Sequence, residues 1–86
     1  MVFHTYILQS QKSGRLYIGH TSDLERRINE HNSGKNKSTR NKGPWSLLHT
    51  VKHSTKSDAT KLEYKLKKWK NRQRVLSWIE KAKNTE

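Results

Sequence analysis

The sequence has no cysteine, one proline and four glycines among its 86 residues. The lack of cysteine excludes a disulfide scaffold and any zinc site built on thiolates. The scarcity of proline and glycine excludes collagen-like chains and extended linkers. No apolar run exceeds three residues, so no segment has the length of a membrane span or of the hydrophobic region of a signal peptide. Without an export signal, we expect a cytoplasmic protein.

Acidic residues are also few: 7 Asp and Glu stand against 19 Lys and Arg, which gives a formal net charge of +12. Hydrophobic residues make up 29% of the chain, below the roughly 45–50% (glycine included) of globular domains, so the core is expected to be small. Three Trp, three Tyr and one Phe argue against disorder, because disordered chains are poor in aromatic residues. We therefore expect one domain over residues 1–86 with a polyanionic partner, and nucleic acid is the first candidate.

The pattern of β-branched, aromatic and turn-forming residues predicts an α+β domain. Two strand-like segments joined by a glycine-bearing turn indicate an antiparallel hairpin near the beginning of the chain. The predicted elements are, in chain order, strands over 2–9 and 15–19, a helix over 22–32, a strand over 45–51, and helices over 55–70 and 72–83. The order β-β-α-β-α-α predicts an antiparallel sheet flanked by helices.

The starts of the first two helices carry capping signals. Ser22 followed by Glu25 forms a capping box, which predicts Ser22 as the N-cap of the first helix. Thr55 followed by Asp58 predicts the start of the second helix in the same way.

Two polar residues lie at the border of the apolar face of the first predicted helix. At about 100° per residue, Arg27 and His31 fall beside the stripe formed by Leu24 and Ile28, one turn apart from each other. Arg26 points away from the core on the same helical wheel. Arg27 and His31 either cover the edge of the stripe, with the arginine reaching to solvent, or face a functional site.

The second predicted helix carries a single acid in a strongly basic segment. Glu63 lies at the border of the apolar stripe, about 40° beyond Ala59, and it is the only acid between Asp58 and Glu80. Two interpretations remain open at this point. The carboxylate either pairs with a neighbouring lysine or holds a divalent cation against a phosphate.

Two tyrosines occupy the predicted hairpin. Tyr6 lies in the first strand and Tyr17 in the second, so a turn near Ser13 would bring them side by side. Strand tyrosines usually serve packing, and the alternative is that both face the same functional site as Arg27.

Together, these residues resemble the GIY-YIG nuclease superfamily. The residues that carry the resemblance are Tyr6, Tyr17-Ile18-Gly19, Arg27, His31 and Glu63. The segment from Leu16 to Arg27 is similar to the second strand and first helix of that superfamily, and the likeness extends from about Phe3 to Ile79. The Gly-Ile of the first motif is replaced by His4-Thr5. Length and the basic run at 67–72 are similar to the small stand-alone bacterial members, which lack flanking recognition domains.

The resemblance implies a three-stranded antiparallel sheet flanked by helices, and phosphodiester hydrolysis supported by one divalent cation, Mg²⁺ or Mn²⁺. It implies catalytic roles for four residues, a metal-binding role for Glu63 and a structural role for the motif glycine, Gly19. The implied catalytic residues are Tyr6, Tyr17, Arg27 and His31. One tyrosine would take the proton from the attacking water, and the sequence leaves open which one.

Two basic segments are predicted to follow the nucleic-acid backbone without reading its sequence. The residues concerned are Lys35, Lys37, Arg40, Lys42, Lys67, Lys68, Lys70 and Arg72. The favoured interpretation is an endonuclease acting on DNA rather than RNA, structure-selective, in repair or recombination. The alternative is a non-catalytic nucleic-acid-binding module that keeps the nuclease fold. Glu63 favours the enzyme, because a carboxylate without a metal would repel phosphate.

Overall fold

A computed structural model describes residues 2–36 and 39–84. The elements are β1 (Phe3–Ser10), β2 (Leu16–Thr21), α1 (Leu24–Asn32), β3 (Trp45–His53), α2 (Lys56–Trp69) and α3 (Arg72–Asn84). The predicted α+β class and the order of the elements are confirmed. Within the part of the chain that the structure describes, no helix has the length and apolar character needed to cross a membrane.

The sheet has three antiparallel strands in the order β2-β1-β3, so β1 is central and β2 is an edge strand. In the β1–β2 hairpin, Tyr6 is paired with Gly19 and Leu8 with Tyr17. Paired residues in antiparallel strands point to the same face of a sheet. The register therefore places both tyrosines on one face, on diagonal positions, with the motif glycine directly opposite Tyr6.

The two faces of the sheet are covered by different helices. On one face, Ile7 and Ile18 pack with Leu66 of α2 and with Val75 and Ile79 of α3. This cluster forms the larger part of the core. Helices α2 and α3 thus each present an apolar face to this side of the sheet.

The opposite face is smaller and more polar. Tyr6, Leu8 and Trp45 form a buried cluster there, and Leu24 and Ile28 of α1 pack against it. Because α1 lies over this face, residues at the edge of its apolar stripe lie above the paired tyrosines.

The predicted N-cap of the first helix is wrong by one residue. Asp23, not Ser22, is the N-cap of α1, and its side chain accepts a hydrogen bond of 3.2 Å from the Arg26 N–H. The Thr21 hydroxyl accepts the Asp23 N–H at 3.1 Å, which fixes the chain one residue later than the capping box predicts. The second cap is confirmed, because the Thr55 hydroxyl accepts the Asp58 N–H at 3.1 Å.

Candidate active site

A line of buried polar contacts runs from β1 to the segment that joins α1 and β3. The Tyr6 hydroxyl lies 2.9 Å from His31 Nε2, and His31 Nδ1 lies 2.8 Å from the Thr39 hydroxyl. Tyr6, His31 and Thr39 are 1%, 2% and 1% exposed. The strand supplies Tyr6, the last turn of α1 supplies His31, and the following segment supplies Thr39, so three separate parts of the chain fix one imidazole.

Burial sets the protonation states along this line. Burial raises the pKa of Tyr6 to about 12, although the Arg27 guanidinium beside its hydroxyl opposes the rise. Burial also lowers the pKa of His31, and the positive charge of Arg27 acts in the same direction. His31 is therefore neutral and Tyr6 protonated near pH 7. Because a guanidinium can only donate hydrogen bonds, the Tyr6 O–H donates to His31 Nε2 and the His31 Nδ1–H donates to Thr39.

Tyr17 packs beside the same imidazole. Its ring centroid lies 4.7 Å from that of His31 and 6.4 Å from that of Tyr6. Gly19 makes room for this arrangement, since a Cβ atom built on it would lie 2.6 Å from the Tyr6 hydroxyl oxygen. The glycine is required here by close approach, not by backbone conformation.

The two arginines of α1 differ as the helical wheel predicts. The Arg26 side chain is 72% exposed and that of Arg27 is 40% exposed. Arg27 Nη1 donates to Glu30 Oε1 at 3.2 Å, while Arg27 Nε is buried without a hydrogen-bond partner among the described residues. The exposed part of the guanidinium suits an anionic ligand with several oxygens, such as a phosphate.

Glu63 lies in a second, more accessible group of charged side chains. Its Oε1 lies 2.6 Å from His20 Nδ1, and its Oε2 accepts a hydrogen bond of 2.9 Å from Lys67 Nζ. Partial burial acts to raise the pKa of Glu63, but the hydrogen bonds from His20 and Lys67 outweigh it and hold the pKa below its usual value. The carboxylate is therefore charged at neutral pH.

The buried group and the charged group around Glu63 approach each other at Tyr17. Lys67 Nζ lies 6.0 Å from the centroid of the Tyr17 ring, and the charge of Glu63 is near enough to Tyr6 to act on its pKa. The structure thus brings together the predicted residues of both strands, of α1 and of α2.

Known proteins have sequences and a fold similar to those of this chain. The family model described as the GIY-YIG catalytic domain matches residues 2–76. The chain belongs to the GIY-YIG family. A UPF0213 protein of Streptococcus agalactiae is 39% identical over 84 residues, covering 96% of this chain and 93% of that protein. A UPF0213 protein of Halobacterium salinarum is 40% identical over 65 residues, covering 74% and 83%.

A solved relative has the same fold. The solution NMR structure of a UPF0213 protein from Bacillus halodurans is 36% identical, with a TM-score of 0.59, and covers 93% of this chain and 84% of that one. The GIY-YIG family is a nuclease superfamily, so nucleic acid is the substrate class of this domain.

The GIY-YIG family generally uses a divalent cation. The donor groups of this chain fit a cation, such as Mg²⁺, that needs few protein ligands. Over residues 2–36 and 39–84, no group of three or more His, Cys, Asp or Glu side chains is placed to hold a metal ion. Mg²⁺ does not need such a cage, because it binds through one or two carboxylates, with water and phosphate oxygens completing its shell. The charged Glu63 carboxylate, whose side chain is 17% exposed, meets that requirement.

The basic residues predicted for nucleic-acid binding lie at the surface of this GIY-YIG domain, except Lys37, which lies outside the described residues. The exposed ones are Lys35, Arg40, Lys42, Lys67, Lys68, Lys70 and Arg72. Lys35, Arg40 and Lys42 lie between α1 and β3, after His31 in the chain. The other four lie at the end of α2 and the start of α3, near Tyr17. No contact with nucleic acid is needed to account for their exposure, so their role stays a prediction.

Two residues of the site were not found by the sequence analysis. Thr39 lies in a polar segment without periodicity. The sole signal for it was indirect: a buried imidazole requires a hydrogen-bond partner on each ring nitrogen. His20 had a usable signal, since it alternates with Leu16 and Ile18 along β2 and therefore faces α2, which carries Glu63.

Proposed function

We propose that this domain is a divalent-metal-dependent endonuclease that hydrolyses phosphodiester bonds in DNA. The observation that carries the proposal is a series of neighbouring side chains. It runs from the Tyr6–His31 pair to Tyr17 and on through Lys67 to Glu63. A phosphodiesterase needs a proton acceptor for water, a cation for the phosphate and support for the leaving oxygen. This network supplies a candidate for each.

Arg27 would bind the phosphate. A guanidinium can direct two N–H groups at two phosphate oxygens, which a lysine cannot do with the same geometry. The Arg27 side chain is 40% exposed, so a phosphate can reach the outer part of its guanidinium. Binding the anion there would neutralise charge that grows as water attacks.

The Tyr6–His31 pair would accept the proton of the attacking water. A resting phenolate at Tyr6 is excluded at neutral pH by its pKa of about 12, so Tyr6 does not act as a preformed base. Neutral His31 can instead take the hydroxyl proton of Tyr6 at Nε2 while the Tyr6 oxygen takes a proton from water. Water becomes the nucleophile, Tyr6 ends neutral and His31 ends protonated. Tyr17, whose ring packs at a tilt against the imidazole, would orient the water.

Glu63 would hold the divalent cation, Mg²⁺ or Mn²⁺. When bound, such a cation polarises the phosphate and stabilises the leaving oxygen. Lys67 occupies one carboxylate oxygen in this structure, and its exposed amine can move away from Glu63 as a cation enters.

We expect binding to depend strongly on salt, because the basic residues would contact phosphates and not bases. If about five phosphates are contacted on duplex DNA, log affinity should fall with log salt with a slope of roughly −4.5. Fluorescence anisotropy with labelled duplex between low and moderate salt measures this slope. A slope near zero would argue against a nucleic-acid partner. Structure-selective action in repair or recombination is the role we propose for such sequence-independent contacts.

The decisive experiment compares two neighbouring arginines in a cleavage assay on duplex, single-stranded and branched DNA. With Mg²⁺ or Mn²⁺ present, Arg27→Ala should lose cleavage by about a hundredfold or more, while Arg26→Ala should mainly weaken binding. Both variants remove one positive charge from α1, so the second is the matched control. Chelation of the cation should abolish cleavage by the wild type.

No cleavage of any substrate by the wild type, with binding retained, would instead favour a non-catalytic nucleic-acid-binding module. Loss of cleavage in Arg26→Ala but not in Arg27→Ala would contradict the assignment of the phosphate contact.

A further inference from the structure

A cleft of about 490 Å³ opens between the edge strand β2 and the junction of α2 and α3. We propose that it binds the base of an unpaired nucleotide in the DNA strand that occupies the active site. This inference deepens the proposed function and rests on it for the identity of the substrate. The volume lies in the range of small-ligand sites.

The walls of the cleft combine apolar and cationic side chains. Leu16, Leu66 and Val75 contribute apolar surface, while Arg15 and Arg72 contribute positive charge. Arg15 is exposed, and Leu66 and Val75 are 1% and 3% exposed. A recessed apolar floor beneath cations matches a flat base attached to a phosphate. Flat basic surfaces, by contrast, are sufficient for the backbone of a duplex.

One of the cations is held in place by the hairpin turn. Arg72 Nη1 donates to the carbonyl oxygen of Gly14 at 3.2 Å. A Cβ atom on Gly14 would lie 2.9 Å from this nitrogen, so the turn approaches the guanidinium closely. The contact joins the β1–β2 turn to the start of α3 across the cleft, and it fixes one cation before any ligand binds.

The cleft is continuous with the active site. Tyr17 and Lys67 line it, and Lys67 also donates to Glu63. A strand whose phosphate is bound between Arg27 and Glu63 would therefore lie beside the mouth of the cleft. The base at that position can enter only if it is unpaired, because a paired base is held inside the duplex. Tyr17 provides an aromatic surface on which such a base can stack.

The test measures binding without cleavage, in the presence of a chelator, by fluorescence anisotropy. Two probes share one duplex and differ only in a short single-stranded tail, which carries bases in one and abasic sugars in the other. Both tails have the same number of phosphates, so electrostatic attraction is matched. The wild type should bind the tail with bases about tenfold more tightly, which corresponds to the stacking of one base.

Arg15→Glu should reduce this ratio to about threefold or less, because it removes a guanidinium of the cleft wall that can stack on the base, a contact that the abasic tail does not make. Lys12→Glu is the matched control. Lys12 is an exposed residue of the same turn region that does not line the cleft. It should keep the tenfold ratio even if the affinity for both probes falls.

Equal binding of the two tails by the wild type would overturn the proposal, and so would an unchanged ratio in Arg15→Glu. Both results are independent of catalysis. A protein that cleaves DNA but shows equal binding would retain the proposed function without the base-binding cleft. A protein that prefers the tail with bases but never cleaves would retain the cleft without the nuclease activity.

Discussion

The two halves of the candidate active site differ in burial and in charge. The half on the α1 side consists of Tyr6, His31 and Thr39, each 2% exposed or less. The half on the α2 side consists of Glu63 and Lys67 with His20, whose side chains are 17%, 51% and 27% exposed. The first half is neutral near pH 7, while the second carries at least one full negative and one full positive charge.

This difference separates two tasks that a phosphodiesterase must perform. A buried neutral chain of hydrogen bonds keeps one orientation, because each group has a fixed partner. An accessible carboxylate paired with a mobile lysine can exchange that partner for another cation at small cost, since exposed ion pairs contribute little to stability. Substitutions in the two halves should therefore affect different measurements.

The largest effect is expected from the accessible half. Glu63→Gln removes the negative charge that would hold the metal, so cleavage should fall by about a hundredfold or more. DNA affinity without metal should stay level or rise, because a charge that repels phosphate is lost. Single-turnover cleavage and anisotropy measure the two quantities. If Glu63 serves only as the partner of Lys67, the change would cost at most about 1 kcal/mol of stability and leave cleavage intact.

A smaller effect, on stability, is expected from the buried half. Gly19→Ala places a methyl group 2.6 Å from the Tyr6 hydroxyl oxygen, and the buried ring has little room to move. We expect a loss of about 1–3 kcal/mol in the free energy of unfolding, measured with urea.

The control for this prediction is the same change in a Tyr6→Phe background. Without the hydroxyl, Gly19→Ala should cost less than it does alone. Equal costs in the two backgrounds would show that the contact with the hydroxyl is not what makes the glycine necessary.

The smallest effect concerns the pH dependence of stability. The folded chain holds His31 with a lowered pKa, so below about pH 6.5 the unfolded chain binds more protons at this position than the folded one. The free energy of unfolding should therefore fall as the pH drops through that value. In His31→Gln the fall should be less steep, which urea unfolding at several pH values measures. Glu63 acts only below the usual glutamate pKa, so it does not contribute to the loss of stability that begins near pH 6.5.

A slope in His31→Gln equal to that of the wild type would show that another group causes the loss of stability.

Periodicity predicted where several of these side chains lie, whereas the roles proposed for them came from the resemblance to the GIY-YIG superfamily. Arg27 and His31 are one turn apart on α1, and the helical wheel placed both beside the sheet while directing Arg26 to solvent. The tyrosines followed from the hairpin in the same way. Local patterns of this kind are set by residues near each other in the chain, so a single sequence contains them.

Other features depended on contacts that no local pattern contains. The N-cap moved to Asp23 because β2 continues to Thr21, whose hydroxyl fixes the following turn. The pKa of Tyr6 shows the same limit. The resemblance implied that one tyrosine takes a proton from water, but burial raises the pKa of Tyr6, so its phenolate forms less readily than that of an exposed tyrosine.

The position of Thr39 has a consequence for the α1–β3 segment. This segment carries Arg40 and Lys42 on the surface and Thr39 in the interior, and the indole N–H of Trp45 donates to the Thr39 carbonyl oxygen at 3.2 Å. The segment that would meet a DNA backbone thus also carries the hydroxyl that accepts the His31 Nδ1–H. The segment and the imidazole are joined by this hydrogen bond. A ligand that displaces the segment should therefore also change the pKa of His31.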